Sequence, residues 1–140
     1  MKISAKTEYA CIAMVELAGS FGTGQPVRIR KIAERHDVPS RFLVQILLQL
    51  KGAGFVASTR GAAGGYHMVL PPGDISLGQV MDVVEGSVKA KERHTNASPD
   101  SSAVKVLQKA WCDVEAVERD MLDKISFADL LAQAKKLDPK

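Results

Sequence analysis

The stretch Ile29-Arg30-Lys31-Ile32-Ala33-Glu34-Arg35-His36-Asp37-Val38-Pro39-Ser40-Arg41-Phe42-Leu43-Val44-Gln45-Ile46-Leu47-Leu48-Gln49-Leu50-Lys51 decides the fold. Ile29–His36 reads as a short helix. Asp37-Val38-Pro39-Ser40 breaks it, because proline cannot continue a helix but can open one. A second helix is expected from Pro39 or Ser40 to about Lys51, stopped by Gly52. Its residues fall into two rows at helical spacing. Phe42, Leu43, Ile46, Leu47 and Leu50 make a core face, and Ser40, Arg41, Val44, Gln45 and Leu48 lie opposite. Two short helices joined by a tight turn form a helix-turn-helix.

Upstream, Ala10, Ala13, Met14, Leu17 and Phe21 mark one face of a helix over about Ser4–Ser20, ended by Gly19, Gly22, Gly24 and Pro26. Val27–Arg30 is no more than a strand stub. Downstream, Phe55–Thr59 and Tyr66–Leu70 are β-like runs joined by Arg60-Gly61-Ala62-Ala63-Gly64-Gly65, whose glycines suit a hairpin. Ser76 and Gln79 form a capping box that opens a helix ending at Gly86. Val88–Ser102 is polar and aperiodic and is read as a mobile loop. Over about Ala103–Lys124, Val104, Leu107, Trp111, Val114, Val117, Met121 and Ile125 form an apolar stripe that demands a partner surface. Ser126–Asp129 is a second capping box, opening a final helix to about Lys136.

The expected fold is therefore mainly α with a small β-wing: a winged helix-turn-helix plus a long C-terminal dimerisation helix. Residues 1–73 would form the winged unit and 74–102 a connecting helix and loop. Residues 103–140 would form the dimerisation helix and a terminal helix packing back on the body.

The chain has 140 residues, 46% of them hydrophobic and 25% charged, which fits one globular domain and excludes a disordered or collagen-like chain. The longest apolar run is Tyr9–Val15, far short of the ~20 residues of a membrane span. Met1–Thr7 carries no apolar signal segment, so a cytoplasmic protein with reduced Cys11 and Cys112 is expected, with no membrane partner. Net charge is +3, but residues 1–70 hold nine Lys/Arg against four Asp/Glu, while residues 71–140 hold ten against twelve. A basic first half points to an anionic partner, of which nucleic acid is the commonest.

The helix order supplies the chemistry. A short helix fits the major groove of B-DNA and reads base edges there. On the outward row, Ser40, Arg41, Val44 and Gln45 are candidate contacts; Arg41 can pair bidentately with guanine and Gln45 with adenine. Arg60 at the wing can enter a narrow minor groove. Arg28, Arg30, Lys31 and Lys51, with backbone N–H groups at helix N-termini, can hold phosphates. The three histidines, His36, His67 and His94, stand beside no nucleophile or paired carboxylates at a diagnostic spacing, so no enzyme activity is expected.

These segments resemble the IscR/NsrR/CymR family of dimeric winged-helix transcription regulators. The likeness is carried by Met1-Lys2-Ile3-Ser4 with Tyr9-Ala10, by Ile32-Ala33-Glu34, by Phe42-Leu43-Val44-Gln45-Ile46-Leu47 and by Leu50-Lys51-Gly52-Ala53-Gly54-Phe55-Val56. It continues through Ser58-Thr59-Arg60-Gly61-Ala62-Ala63-Gly64-Gly65-Tyr66, Ile75-Ser76-Leu77-Gly78-Gln79-Val80, Trp111 and Ile125-Ser126-Phe127-Ala128-Asp129-Leu130. It implies a homodimer joined along the long helix through Val104, Leu107, Trp111, Val114, Val117, Met121 and Ile125. It also implies a palindromic double-stranded DNA operator; the regulator is expected to act as a repressor, though the sequence does not give the sign of regulation. By the same resemblance, Arg41, Phe42, Val44, Gln45 and Arg60 would touch bases and phosphates. Val44 departs from the family: iron–sulfur relatives often carry an acidic residue there, and a valine cannot accept from cytosine N4, though it can touch a thymine methyl.

Many relatives hold an iron–sulfur cluster on three cysteines in the loop before the long helix. Here Val88–Ser102 has no cysteine, and the position of a family ligand ahead of Trp111 holds Gln108. No cofactor is expected. Glu8, His94 and Cys112 are the weak remaining metal candidates, and Cys11 and Cys112 are read by default as packing residues. Two alternatives stay open: a winged-helix module that docks a metabolic enzyme or answers a small-molecule effector, and a thiol-based redox sensor working through Cys112.

Overall fold

The computed structural model describes residues 2–61, 64–86 and 97–138. Six α-helices and one hairpin lie along it: α1 (Ala5–Gly19), α2 (Ile29–His36), α3 (Ser40–Gly52), β1 (Val56–Thr59), β2 (Gly65–Met68), a short 3-10 turn (Pro72–Asp74), α4 (Leu77–Glu85), α5 (Ser102–Lys124) and α6 (Phe127–Leu137). This is a mainly helical winged helix-turn-helix, as the sequence leads one to expect.

One core joins the helices. Ala10, Ala13, Met14 and Leu17 of α1 meet Ile32 of α2, Leu43, Ile46, Leu47 and Leu50 of α3, Val80 and Val84 of α4, and Phe127 of α6. Phe21 is not among them. α1 stops at Gly19, two residues short of carrying Phe21 round to the buried face, and that ring stays 39% exposed.

β1 and β2 pair antiparallel, with Val56 opposite Met68 and Thr59 opposite Gly65. The Val27 stub adds to this sheet by exchanging both backbone hydrogen bonds with Tyr66, each 2.7 Å long. Gly65 is needed there, since a Cβ would collide with the Val27 carbonyl. The wing is thereby tied to the segment entering α2. Ala62 and Ala63 lie outside the described residues.

Both expected capping boxes are present. Ser76 and Gln79 satisfy each other's backbone N–H at α4, and Ser126 and Asp129 do the same at α6. A backbone bridge joins the two: Leu77 N–H donates to Ile125 O (2.9 Å) and Phe127 N–H to Ile75 O (3.0 Å). α6 consequently starts beside α4 and packs along α1.

The expected loop over Val88–Ser102 lies mostly outside the described residues. Its end is shorter than expected: Ser101 caps α5 and Ser102 already begins it. α5 rests chiefly on α4, through buried Leu122 and through Arg119, which bonds Asp82 at 2.7 Å and Asp123 at 2.9 Å. Gly78 leaves room for this clamp, because a Cβ there would collide with the Asp123 carboxylate. Among the described residues no helix is long and apolar enough to cross a membrane.

Candidate nucleic-acid interface

α3 exposes one row and buries the other. Leu43, Ile46, Leu47 and Leu50 are wholly buried. Ser40, Arg41, Val44, Gln45 and Leu48 are exposed. The turn before α3 sets this orientation. Asp37 takes the left-handed conformation (φ 53°) and closes α2 by donating its N–H to Ala33 O, buried Val38 anchors the turn, and extended Pro39 launches α3. Few side chains tolerate φ above zero, and aspartate is one that does.

Phe42 sits at the edge between the two rows, half-buried. Its ring meets Tyr9 of α1 at 5.6 Å between centroids, and the Arg41 guanidinium lies over the Phe42 ring, 5.3 Å from its centre. Phe42 thus links Arg41 on α3 to Tyr9 on α1. Tyr9 has no place among the expected site residues, because nothing in local spacing says that α1 passes beneath α3.

The N-termini of α2 and α3 differ from those of the four other helices. Serines cap α1, α4, α5 and α6. At α2 and α3 no side chain caps the helix and the first turn has no acidic residue. Their leading N–H groups are available to an anion. Beside α2 runs an open cleft of about 620 Å³ lined by Pro26, Arg28, Arg30, Lys31, Glu34 and Arg35. Arg30 bonds Glu34 at 2.9 Å, which holds its pKa above the usual arginine value. Arg35 reaches Glu16 at 3.5 Å, and His36 Nε2 meets the same carboxylate at 2.8 Å. Among the described residues Arg28 and Lys31 have no carboxylate partner, so the cleft remains net positive.

Arg60 is exposed at the end of β1. Lys51 stands apart: it lies in the last turn of α3, about 15 Å along the axis from Arg41, and its ammonium donates to Ser58 Oγ at 2.8 Å. That contact ties α3 to the wing.

The stripe on α5 is only partly open. Leu107, Trp111, Val114, Val117 and Met121 are each more than half exposed, whereas Val104 and Ile125 at its ends are partly buried in their own protomer.

The cysteines also depart from expectation in one case. Cys11 packs against the core, as expected. Cys112 is exposed on α5 instead of lying in the core. Burial pushes the Cys11 thiol up to about 11, with Glu8 and Glu85 adding to the shift. Only about one molecule in a thousand would then carry the reactive thiolate at pH 8. Cys11 is expected to resist iodoacetamide in the folded protein, its rate rising about tenfold per pH unit up to that pKa. Peptide mapping after timed alkylation checks this, and fast labelling of native Cys11 at pH 8 would contradict it.

Comparison with known proteins brings in the family. Residues 3–133 match the model of the Rrf2 family, described as iron-dependent transcriptional regulators. The chain is 34% identical over 131 residues to the transcriptional regulator IscR of Aliivibrio salmonicida, covering 94% of this chain and 77% of that one. It is 32% identical over 130 residues to the transcriptional regulator CymR of Bacillus subtilis, covering 93% and 89%. The solved structure of CymR, the global cysteine regulator of B. subtilis, superposes with a TM-score of 0.80 at 30% identity, covering 95% of this chain and 98% of that one.

The family description implies iron, and the donor set here does not fit an iron–sulfur cluster. Clusters are held by thiolates, usually four. The chain has two cysteines, and one of them is a half-buried thiol with a raised pKa. Among the described residues no three His, Cys, Asp or Glu side chains are close enough to hold a metal ion. Among the described residues neither Glu8 nor Cys112 belongs to such a group, and His94 lies outside the described residues. In sequence and in fold alike, this chain belongs to the Rrf2 family of DNA-binding transcriptional regulators.

Proposed function

We propose that the protein is a cytoplasmic, homodimeric repressor that binds a palindromic operator and works without an iron–sulfur cluster. The two rows of α3 carry this reading. Four helical positions that could have been buried are held outward beside a basic cleft and two uncapped helix N-termini. In this reading Ser40, Arg41, Val44 and Gln45 face base edges, with Phe42 bracing Arg41. Arg28, Arg30 and Lys31 hold phosphates together with the α2 and α3 N-termini, Lys51 holds the phosphate nearest the wing, and Arg60 enters the minor groove. A second copy covers the α5 stripe, and two-fold protein symmetry then calls for two-fold operator symmetry.

Selection of bound duplexes from random DNA, with purified protein at near-physiological salt, tests the proposal. The expected product is a palindrome with half-sites one helical turn or a multiple apart. Binding should fall steeply as salt rises, because lysine and arginine displace counterions from phosphates. Recovery of sequence-blind binding alone would overturn the operator reading.

Arg41→Ala is expected to cost about 1–3 kcal/mol on the selected operator and to relax preference at one base pair per half-site. Equal weakening on every sequence, measured by fluorescence anisotropy, would assign Arg41 to a phosphate instead.

A further inference from the structure

Two large aliphatic side chains stand in water on the reading face of α3. Val44 is 46% and Leu48 56% exposed, while Leu43, Ile46, Leu47 and Leu50 of the same helix are wholly buried. The two are four residues apart, so they are neighbours on one helix face. Arg41 lies three residues before Val44, and Gln45 three before Leu48, so the four side chains form one continuous patch. Exposed aliphatics grouped on one face signal a binding surface. The surroundings say what kind. Arg28, Arg30, Lys31, Arg41, Lys51 and Arg60 are all exposed around the helix-turn-helix and wing, and an apolar strip within that field suits a polyanion carrying apolar groups.

Double-stranded DNA offers one such group in its major groove, the C5-methyl of thymine. Valine and leucine neither donate nor accept hydrogen bonds, so they can discriminate among base pairs there only through that methyl. Val44 and Leu48 are about 6 Å apart along the helix axis, close to the rise of two base pairs. We propose that Leu48 is a specificity-determining residue and that it reads, with Val44, the C5-methyl groups of two thymines in each half-site. This inference rests on the DNA-reading function proposed above and adds the chemistry being read.

The test replaces each thymine of the selected operator, one at a time, with deoxyuridine, which removes the methyl and leaves base pairing intact. Full-length protein binding is followed by anisotropy at fixed salt. At two thymines per half-site the expected loss is about three- to five-fold each, the size of one buried methyl, with no loss at the others. Leu48→Ala should remove the sensitivity at one of these thymines and Val44→Ala at the other, while circular dichroism shows both variants folded. A flat deoxyuridine scan on an operator that the protein does select would overturn this inference and leave the DNA-reading function standing. Sensitivity that persists in both variants would also overturn it. Failure to select any operator would overturn both.

Discussion

Val114→Asp combined with Val117→Asp is expected to convert the proposed dimer to a monomer and to weaken binding to the proposed palindrome by about a hundredfold or more. The reason lies in how α5 is held. It is 23 residues long, about 34 Å at 1.5 Å per residue, yet its grip on its own protomer is concentrated at Arg119, Leu122 and Asp123 near one end. At about 100° per residue, Val106, Leu107, Ala110, Trp111, Val114, Val117 and Met121 spread over roughly 140° of its surface. Only Glu118 interrupts the interior of that arc. Such a face is too apolar to stay in water alone, and two carboxylates at its centre would have to be desolvated in any dimer. A dimer binds two half-sites at once, and losing that linkage removes a factor of about 10²–10⁴ without altering any contact to DNA. Sedimentation velocity and binding to whole and half operators measure the two effects. Since both substituted positions are more than half exposed in the protomer, the unfolding of the winged unit should barely change. A double variant that remains dimeric would show that another surface joins the copies.

Phe127→Ala is expected to cost about 3–5 kcal/mol of stability, a large part of the roughly 5–15 kcal/mol typical of a domain. Phe127 is the largest fully buried side chain. It is also the first residue of α6, and its N–H completes the bridge to Ile75 beside two capping boxes. Truncation leaves a cavity in the core at the start of α6, and the backbone bridge to Ile75 resists the shift of α6 that would close it. Leu137, on the same helix and 88% exposed, is the control: its replacement by alanine should shift stability by less than about 0.5 kcal/mol. Urea midpoints compare the two, and a loss below about 1 kcal/mol for Phe127→Ala would show that the site collapses around the gap.

The candidate site was legible in α3 because a helix with one buried face writes that face into its sequence at a fixed period. The row Leu43, Ile46, Leu47, Leu50 and its opposite both come from spacing alone. The wing was legible from its glycines and β-like runs, and the starts of α4 and α6 from serines placed three residues before a side chain able to return the hydrogen bond. The cysteine count alone argued against a cluster. All of these are local statements, satisfied within a few residues of chain.

The remainder depends on segments far apart in sequence. Phe21 continues the apolar spacing of α1 but falls beyond the helix end, so the pattern misplaced it. Tyr9 reaches Phe42 across 33 residues, and Ser76 meets Ser126 across 50; no local period records either pairing. The Val27 stub becomes sheet only because Tyr66 is there to receive it. Leu48 looked like any other outward residue until its exposure set it beside Val44 in a basic field. By itself the sequence determined which helices and strands form and which face of each is apolar. The tertiary structure decided which apolar faces are covered within the chain and which, on α3 and α5, stay exposed, because burial depends on what long-range packing brings opposite each face.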